Sequence, residues 1–166
     1  KIEYPDGETY RLRLFPPLPS LNGDKEVKYW SPPGSKPALY IPPGLEIDVQ
    51  KLLIITEGEF KSYRAWVGSG LPCLALAGIM SWRTGEVKDD FLGLLPELDQ
   101  PWSGKEFVLI YDSDIGLGHI GYSSFLRLGD QLLERGATSV KVLTLPEIKD
   151  YEKVGLDDFL NYYGEQ

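Results

Sequence analysis

Two short acidic motifs carry the chemical potential of this chain, Thr56-Glu57-Gly58-Glu59 and Asp112-Ser113-Asp114. Each closes an apolar run, KLLIIT over 51–56 and EFVLIY over 106–111. Carboxylates packed together repel and raise one another's pKa unless a cation neutralises them. In an extended D-x-D both aspartates leave the chain on one side and can share an ion. Hard oxygen donors gathered at one point suit Mg²⁺ or Mn²⁺; Mg²⁺ takes one or two carboxylates and keeps several waters. Either motif alone reads as readily as a helix cap, because acids favour the first helical turn. Both together, at the ends of two strands in one domain, point to Glu57, Asp112 and Asp114 as a metal site.

Other reactive side chains are scarce. One histidine, His119, and one cysteine, Cys73, argue against a Ser-His-Asp triad, an internal disulfide and a cysteine-rich zinc site. Cys73 lies in an apolar run and reads as core. Gly116-Leu117-Gly118-His119-Ile120-Gly121 has the form of a dinucleotide fingerprint, after a strand and before a helix. It follows the third strand rather than the first, and Asp112 and Asp114 would repel a pyrophosphate there. The glycines read better as a loop passing close to the metal and its ligand, where His119 can reach a phosphate. Lys28, Tyr29, Trp30 and Lys36 join basic and aromatic character in a proline-rich loop that can stack bases or pack. Asp157 and Asp158 favour a helix N-terminus and are candidates for an accessory metal or nucleotide contact.

The elements that must position these groups follow from periodicity. Residues 1–50 hold nine of the thirteen prolines, which fix φ and remove donors, so long regular elements are not expected. This region is predicted to be an irregular, partly β extension with short strands at 10–15 and 38–41. From 51 to 166 the pattern is that of an α/β domain. Strands are predicted at 51–56, 73–77, 106–111 and 140–145, and helices at 60–67, around 88–95, over 122–133 and at 156–163. Phe60, Tyr63 and Val67 stand at helical spacing, and Tyr122, Phe125, Leu126, Gly129, Leu132 and Leu133 form an amphipathic stripe ended by Gly136. Strands alternating with helices imply right-handed crossovers and a mainly parallel four-stranded sheet, with ligands outside the carboxyl ends of its strands.

The 166 residues suffice for one domain with a core and a small appendage, and 42% hydrophobic content is ordinary for a globular chain. No apolar run reaches the ~20 residues of a membrane span, and the thiol pattern fits a reducing, cytoplasmic compartment. The chain begins at Lys1 and its one methionine is Met80, which suggests a piece of a longer protein. A net charge of −8 is the opposite of a domain that grips a phosphate backbone alone. Either a divalent metal inverts the local field or another domain supplies the grip.

Glu57-Gly58 and Asp112-Ser113-Asp114 resemble the paired motifs of the Toprim domain of primases, topoisomerases and some nucleases. The run Ile54-Ile55-Thr56-Glu57-Gly58-Glu59-Phe60-Lys61 is similar to the form in phage and plasmid primase-helicase proteins. The stretches Lys28-Tyr29-Trp30-Ser31-Pro32-Pro33-Gly34-Ser35, Leu39-Tyr40 and Gly155-Leu156-Asp157-Asp158-Phe159-Leu160 resemble a Toprim-like family attached to such proteins. The resemblance implies a three-layer Toprim-type α/β fold, Glu57 as general acid/base, and Asp112 and Asp114 as Mg²⁺ ligands. Lys61 stands where many primases have an aspartate, and is a candidate for a phosphate contact or a pair with Glu57. The implied role is nucleotidyl transfer in primer synthesis, on a single-stranded template with nucleoside triphosphates and beside a fused or associated helicase. The same acids also serve a strand-cleaving nuclease, and a silent module that binds nucleic acid or a helicase stays open.

Overall fold

Despite its prolines, the first part of the chain forms an antiparallel sheet of three strands, β1 (Ile2–Glu3), β2 (Tyr10–Pro19) and β3 (Glu26–Trp30), in the order β1-β2-β3. The computed structural model describes residues 1–20, 26–88, 91–115 and 118–164. Strand β2 runs on through Pro16, Pro17 and Pro19, beyond the expected end at 15. The ladder with β3 accommodates them by a register shift between Arg13↔Tyr29 and Leu18↔Val27. Lys28 and Trp30, expected in a loop, lie on β3, where Trp30 faces Leu12 across the ladder. Arg11 and Arg13 place their guanidinium groups 4.5 Å and 4.7 Å from the Tyr29 ring centre, a cation–π arrangement that covers one sheet face. This compact unit spans Lys1–Lys36.

The second unit begins at Pro37, so residues 37–50 belong to it by contact. The run at 38–41 makes one antiparallel bridge, Tyr40↔Ala75, rather than a strand, and buries Leu39 and Tyr40. Beyond it come β4 (Leu52–Glu57), α1 (Glu59–Ser69), β5 (Cys73–Leu76), β6 (Arg83–Lys88), β7 (Phe91–Leu94), β8 (Glu106–Tyr111), α2 (Ile120–Glu134), β9 (Ser139–Thr144) and α3 (Leu156–Gly164). The fold is mixed α/β: β5-β4-β8-β9 form one all-parallel sheet, as the apolar runs imply. The expected helix around 88–95 is instead the antiparallel pair β6-β7. Its short apolar run is ambiguous by periodicity alone, and Gly85, at φ 79, sits in the irregular stretch of that ladder.

Both sheet faces are covered. Leu53, Ile55, Leu74, Phe107, Leu109 and Tyr111 point into one core against Phe125, Leu128 and Leu132 of α2. Ile54, Cys73 and Ile110 point the other way, against Ala65, Leu145, Val154 and Leu156. Tyr111 stacks on Phe125 at 3.8 Å between ring centres, and Trp82 Nε1 donates to Ser124 Oγ at 2.8 Å. Helix α1 turns an unexpected face inward. Glu59, Ser62 and Ala65 are buried, whereas Phe60, Tyr63 and Val67 are exposed. Small residues allow α1 to lie close to the sheet, and Ser62 Oγ donates to the Cys73 carbonyl at 2.6 Å.

Chain order gives the sheet its working edge. From β4 the chain crosses to β5 on one side and then returns to β8 on the other. The carboxyl ends of β4 and β8 therefore flank the point where the winding reverses, the place where open α/β sheets bind ligands. Among the described residues, no helix is long and apolar enough to cross a membrane.

Candidate functional site

Parallel pairing of Thr56 with Ile110 brings Glu57 level with Tyr111, so Asp112 follows one residue beyond on the neighbouring strand. At the end of β4 the chain swings into α1 through Gly58, at φ 96 and ψ 127. That conformation is costly for any residue with a Cβ. Gly58 N–H donates to the Leu76 carbonyl at 2.9 Å, which anchors the turn to β5. After β8, Ile115 N–H donates to the Asp112 carbonyl at 3.1 Å, a tight turn that carries Asp114. Ser113 fastens this turn to the segment before α3: its N–H donates to the Val154 carbonyl at 3.0 Å, and Val154 N–H donates to Ser113 Oγ at 2.9 Å.

That clamp delivers a residue the sequence reading missed. Lys153 Nζ lies 3.1 Å from Asp112 Oδ2 and 3.0 Å from Asp114 Oδ2, bridging the two aspartates. Lys61, from the first turn of α1, donates to both Asp112 oxygens at 2.5 Å. Asp112 is only 4% exposed, so its charge needs these partners. Lys61 thus pairs with Asp112, not in the first instance with Glu57. Its stem passes close to Gly155, where an added Cβ would fall 2.7 Å from Lys61 Cε and 2.7 Å from Asp157 Oδ1. The glycine that precedes α3 therefore leaves the lane through which Lys61 reaches Asp112. The signal for Lys153 was present, since it stands two residues before the Gly155-Leu156-Asp157-Asp158 run.

Glu57 is held above the usual carboxylate range. Burial is the main cause; the charges of Asp112 and Asp114 add to it, and Lys61 and Lys153 oppose it. These influences show the three sequence-selected carboxylates within electrostatic reach of one another. Lys153 is raised as well: burial pulls it down, but its hydrogen bonds to Asp114 and Asp112 outweigh that. A carboxyl with a raised folded-state pKa contributes stability that is present below its unfolded value and lost as pH rises through the folded one. Glu57→Gln removes that titration. The variant is therefore expected to gain stability over the parent toward about pH 8 and to lose that advantage toward about pH 4, read from urea midpoints.

The remaining candidates divide. His119 caps α2, its Nδ1 accepting from Gly121 N–H at 3.0 Å, which gives it a structural task. Asp158 Oδ2 accepts from Gly155 N–H at 3.0 Å, half of a capping box for α3. Asp157 borders Gly155 beside Lys61. Lys28, Trp30 and Lys36 belong to the first compact unit. In the glycine-rich run after Asp114, Gly116 and Leu117 lie outside the described residues. Beside Asp114 opens a cleft of about 400 Å³, lined by Ser113, Glu147, Lys149, Asp150 and Tyr151 among others.

The donor set fits a hard divalent cation in kind. Asp112 and Asp114 are adjacent oxygen donors already bridged by one cationic group, and Mg²⁺ requires only one or two carboxylates. Among the described residues no three His, Cys, Asp or Glu side chains form one ligating group. Fold and site together define an α/β protein with a carboxylate–lysine centre at the reversal point of a parallel sheet. The chain belongs to the family described as "Domain of unknown function (DUF3854)", whose model matches residues 47–166. No curated protein matches it in sequence.

Proposed function

We propose that this chain is a Toprim-type, Mg²⁺-dependent domain of a replication primase or primase-helicase-like protein, supporting nucleotidyl transfer in primer synthesis. The observation that carries the reading is that Glu57 ends β4 and Asp112 and Asp114 follow the neighbouring β8 at the same carboxyl edge of the sheet, with Lys61 and Lys153 on the aspartates. Asp112 and Asp114 would hold the metal. When bound, it would supply charge neutralisation at a triphosphate and activate an attacking hydroxyl. Glu57, its pKa raised chiefly by burial, would serve as the general acid/base. Lys61 would hold Asp112 in place. With an overall charge of −8, the chain relies on the metal or on a partner, such as a fused or associated helicase, to grip a single-stranded template. The resemblance and the single buried thiol are consistent with work in the cytoplasm.

A second reading is favoured by the same lysines. Because Lys61 and Lys153 already neutralise Asp112, the centre is electrostatically satisfied, as in a silent module that binds nucleic acid or a helicase. Strand cleavage by the same acids is the third. One assay separates them, run on this chain and on any longer polypeptide that carries it. A single-stranded template is incubated with labelled nucleoside triphosphates and Mg²⁺ or Mn²⁺. Metal-dependent short oligonucleotides are the expected result. Shortened template would replace this with the nuclease reading, and metal binding without either product would favour the silent module.

A further inference from the structure

The two lysines on Asp112 are held differently. Lys61 is 19% exposed, contacts both Asp112 oxygens and lies against Gly155, so it has little room to leave. Lys153 is 46% exposed, contacts one oxygen of each aspartate, and extends from the irregular stretch between β9 and α3. A divalent ion on Asp112 and Asp114 would claim those same oxygens and repel the ammonium already on them. Of the two cations, Lys153 is the one with solvent to move into. We infer that Lys153 is a tethered counter-ion that occupies the Asp112–Asp114 pair and is displaced when a divalent cation binds, while Lys61 stays on Asp112.

The inference rests on the reading of Asp112 and Asp114 as metal ligands and adds a residue that sets the affinity of that site. The chain carries its own competitor, covalently attached and therefore always at high local concentration. Metal must outbid it, which favours a doubly charged ion over a singly charged one.

Mn²⁺ titration of the whole chain, followed by electron paramagnetic resonance, tests this with Lys153→Met and Asp114→Asn. Both altered side chains are about half exposed, so both variants should fold. The exchange of a half-exposed ion pair is modest, so Lys153→Met should bind Mn²⁺ about two- to five-fold more tightly than the parent. Asp114→Asn should bind it more weakly than the parent. A second measurement uses the parent itself: acylation of lysines, read by mass spectrometry, should accelerate at Lys153 when Mn²⁺ is added and stay unchanged at Lys61. Equal or weaker binding in Lys153→Met, with Asp114→Asn still impaired, overturns the counter-ion role and leaves the metal site standing. If neither the parent nor Lys153→Met binds Mn²⁺, the metal reading fails and the counter-ion with it.

Discussion

On the proposed nucleotidyl-transfer reading, Glu57→Gln is expected to cut metal-dependent turnover by about 10²–10⁴-fold, the usual contribution of a positioned acid or base. The fold and most of the Mn²⁺ affinity should survive. The amide keeps the size of the side chain and one neutral oxygen, but it cannot accept a proton. Because Glu57 is held above the ordinary carboxylate range by burial and by Asp112 and Asp114, losing its charge relieves the folded state. Lower activity should therefore come with equal or higher stability at neutral pH, a combination that simple unfolding cannot produce. Primer synthesis, or cleavage, at the parental rate would remove Glu57 from the chemistry.

The largest stability effect is expected at Asp112. Replacing it with Leu leaves Lys61, 19% exposed, without the carboxylate it contacts at 2.5 Å. An uncompensated buried charge costs about 3–5 kcal/mol, against a total of about 5–15 kcal/mol for a domain. Lys153 is half exposed and can return to solvent, so it adds little to this loss. The double change Lys61→Met with Asp112→Leu should recover most of the deficit, because a buried ion pair exchanged for apolar side chains is often neutral. Urea unfolding of the two single variants and the double one closes the cycle. If Asp112→Leu costs under about 1 kcal/mol, the pair behaves as a surface contact and Asp112 is not the fixed point of the site.

Three of the four parallel strands, β4, β5 and β8, were legible because burial on both faces writes itself as an apolar run. Leu53 and Ile55 face one core and Ile54 faces the other, so no polar alternation interrupts them. The acids were legible because they stop those runs. For Lys153 only its closeness to the Gly155-Leu156-Asp157-Asp158 run could be read; its place on the aspartates depends on the Ser113–Val154 clamp, a pairing of residues far apart in sequence. Helix α1 misleads in the opposite way: its most apolar spacing faces out, and its buried side is built from Ser62, Ala65 and Glu59. Close approach to the sheet selects size over hydrophobicity there. In the first unit, proline content argued against a long strand. A register shift in the β2–β3 ladder made one compatible with Pro16 and Pro17.

The central position of β4 also bears on how the chain comes to be made. Its two neighbours arrive at different times during synthesis. β5 follows within a short helix, but β8 lies much later, with Thr56 54 residues ahead of its partner Ile110. Until β8 has emerged, the Leu-Leu-Ile-Ile segment of β4 has one open, apolar edge, the feature that seeds aberrant strand pairing between nascent chains. The sheet can therefore close only after β8 has emerged, and truncations that stop before residue 106 would leave that edge uncovered.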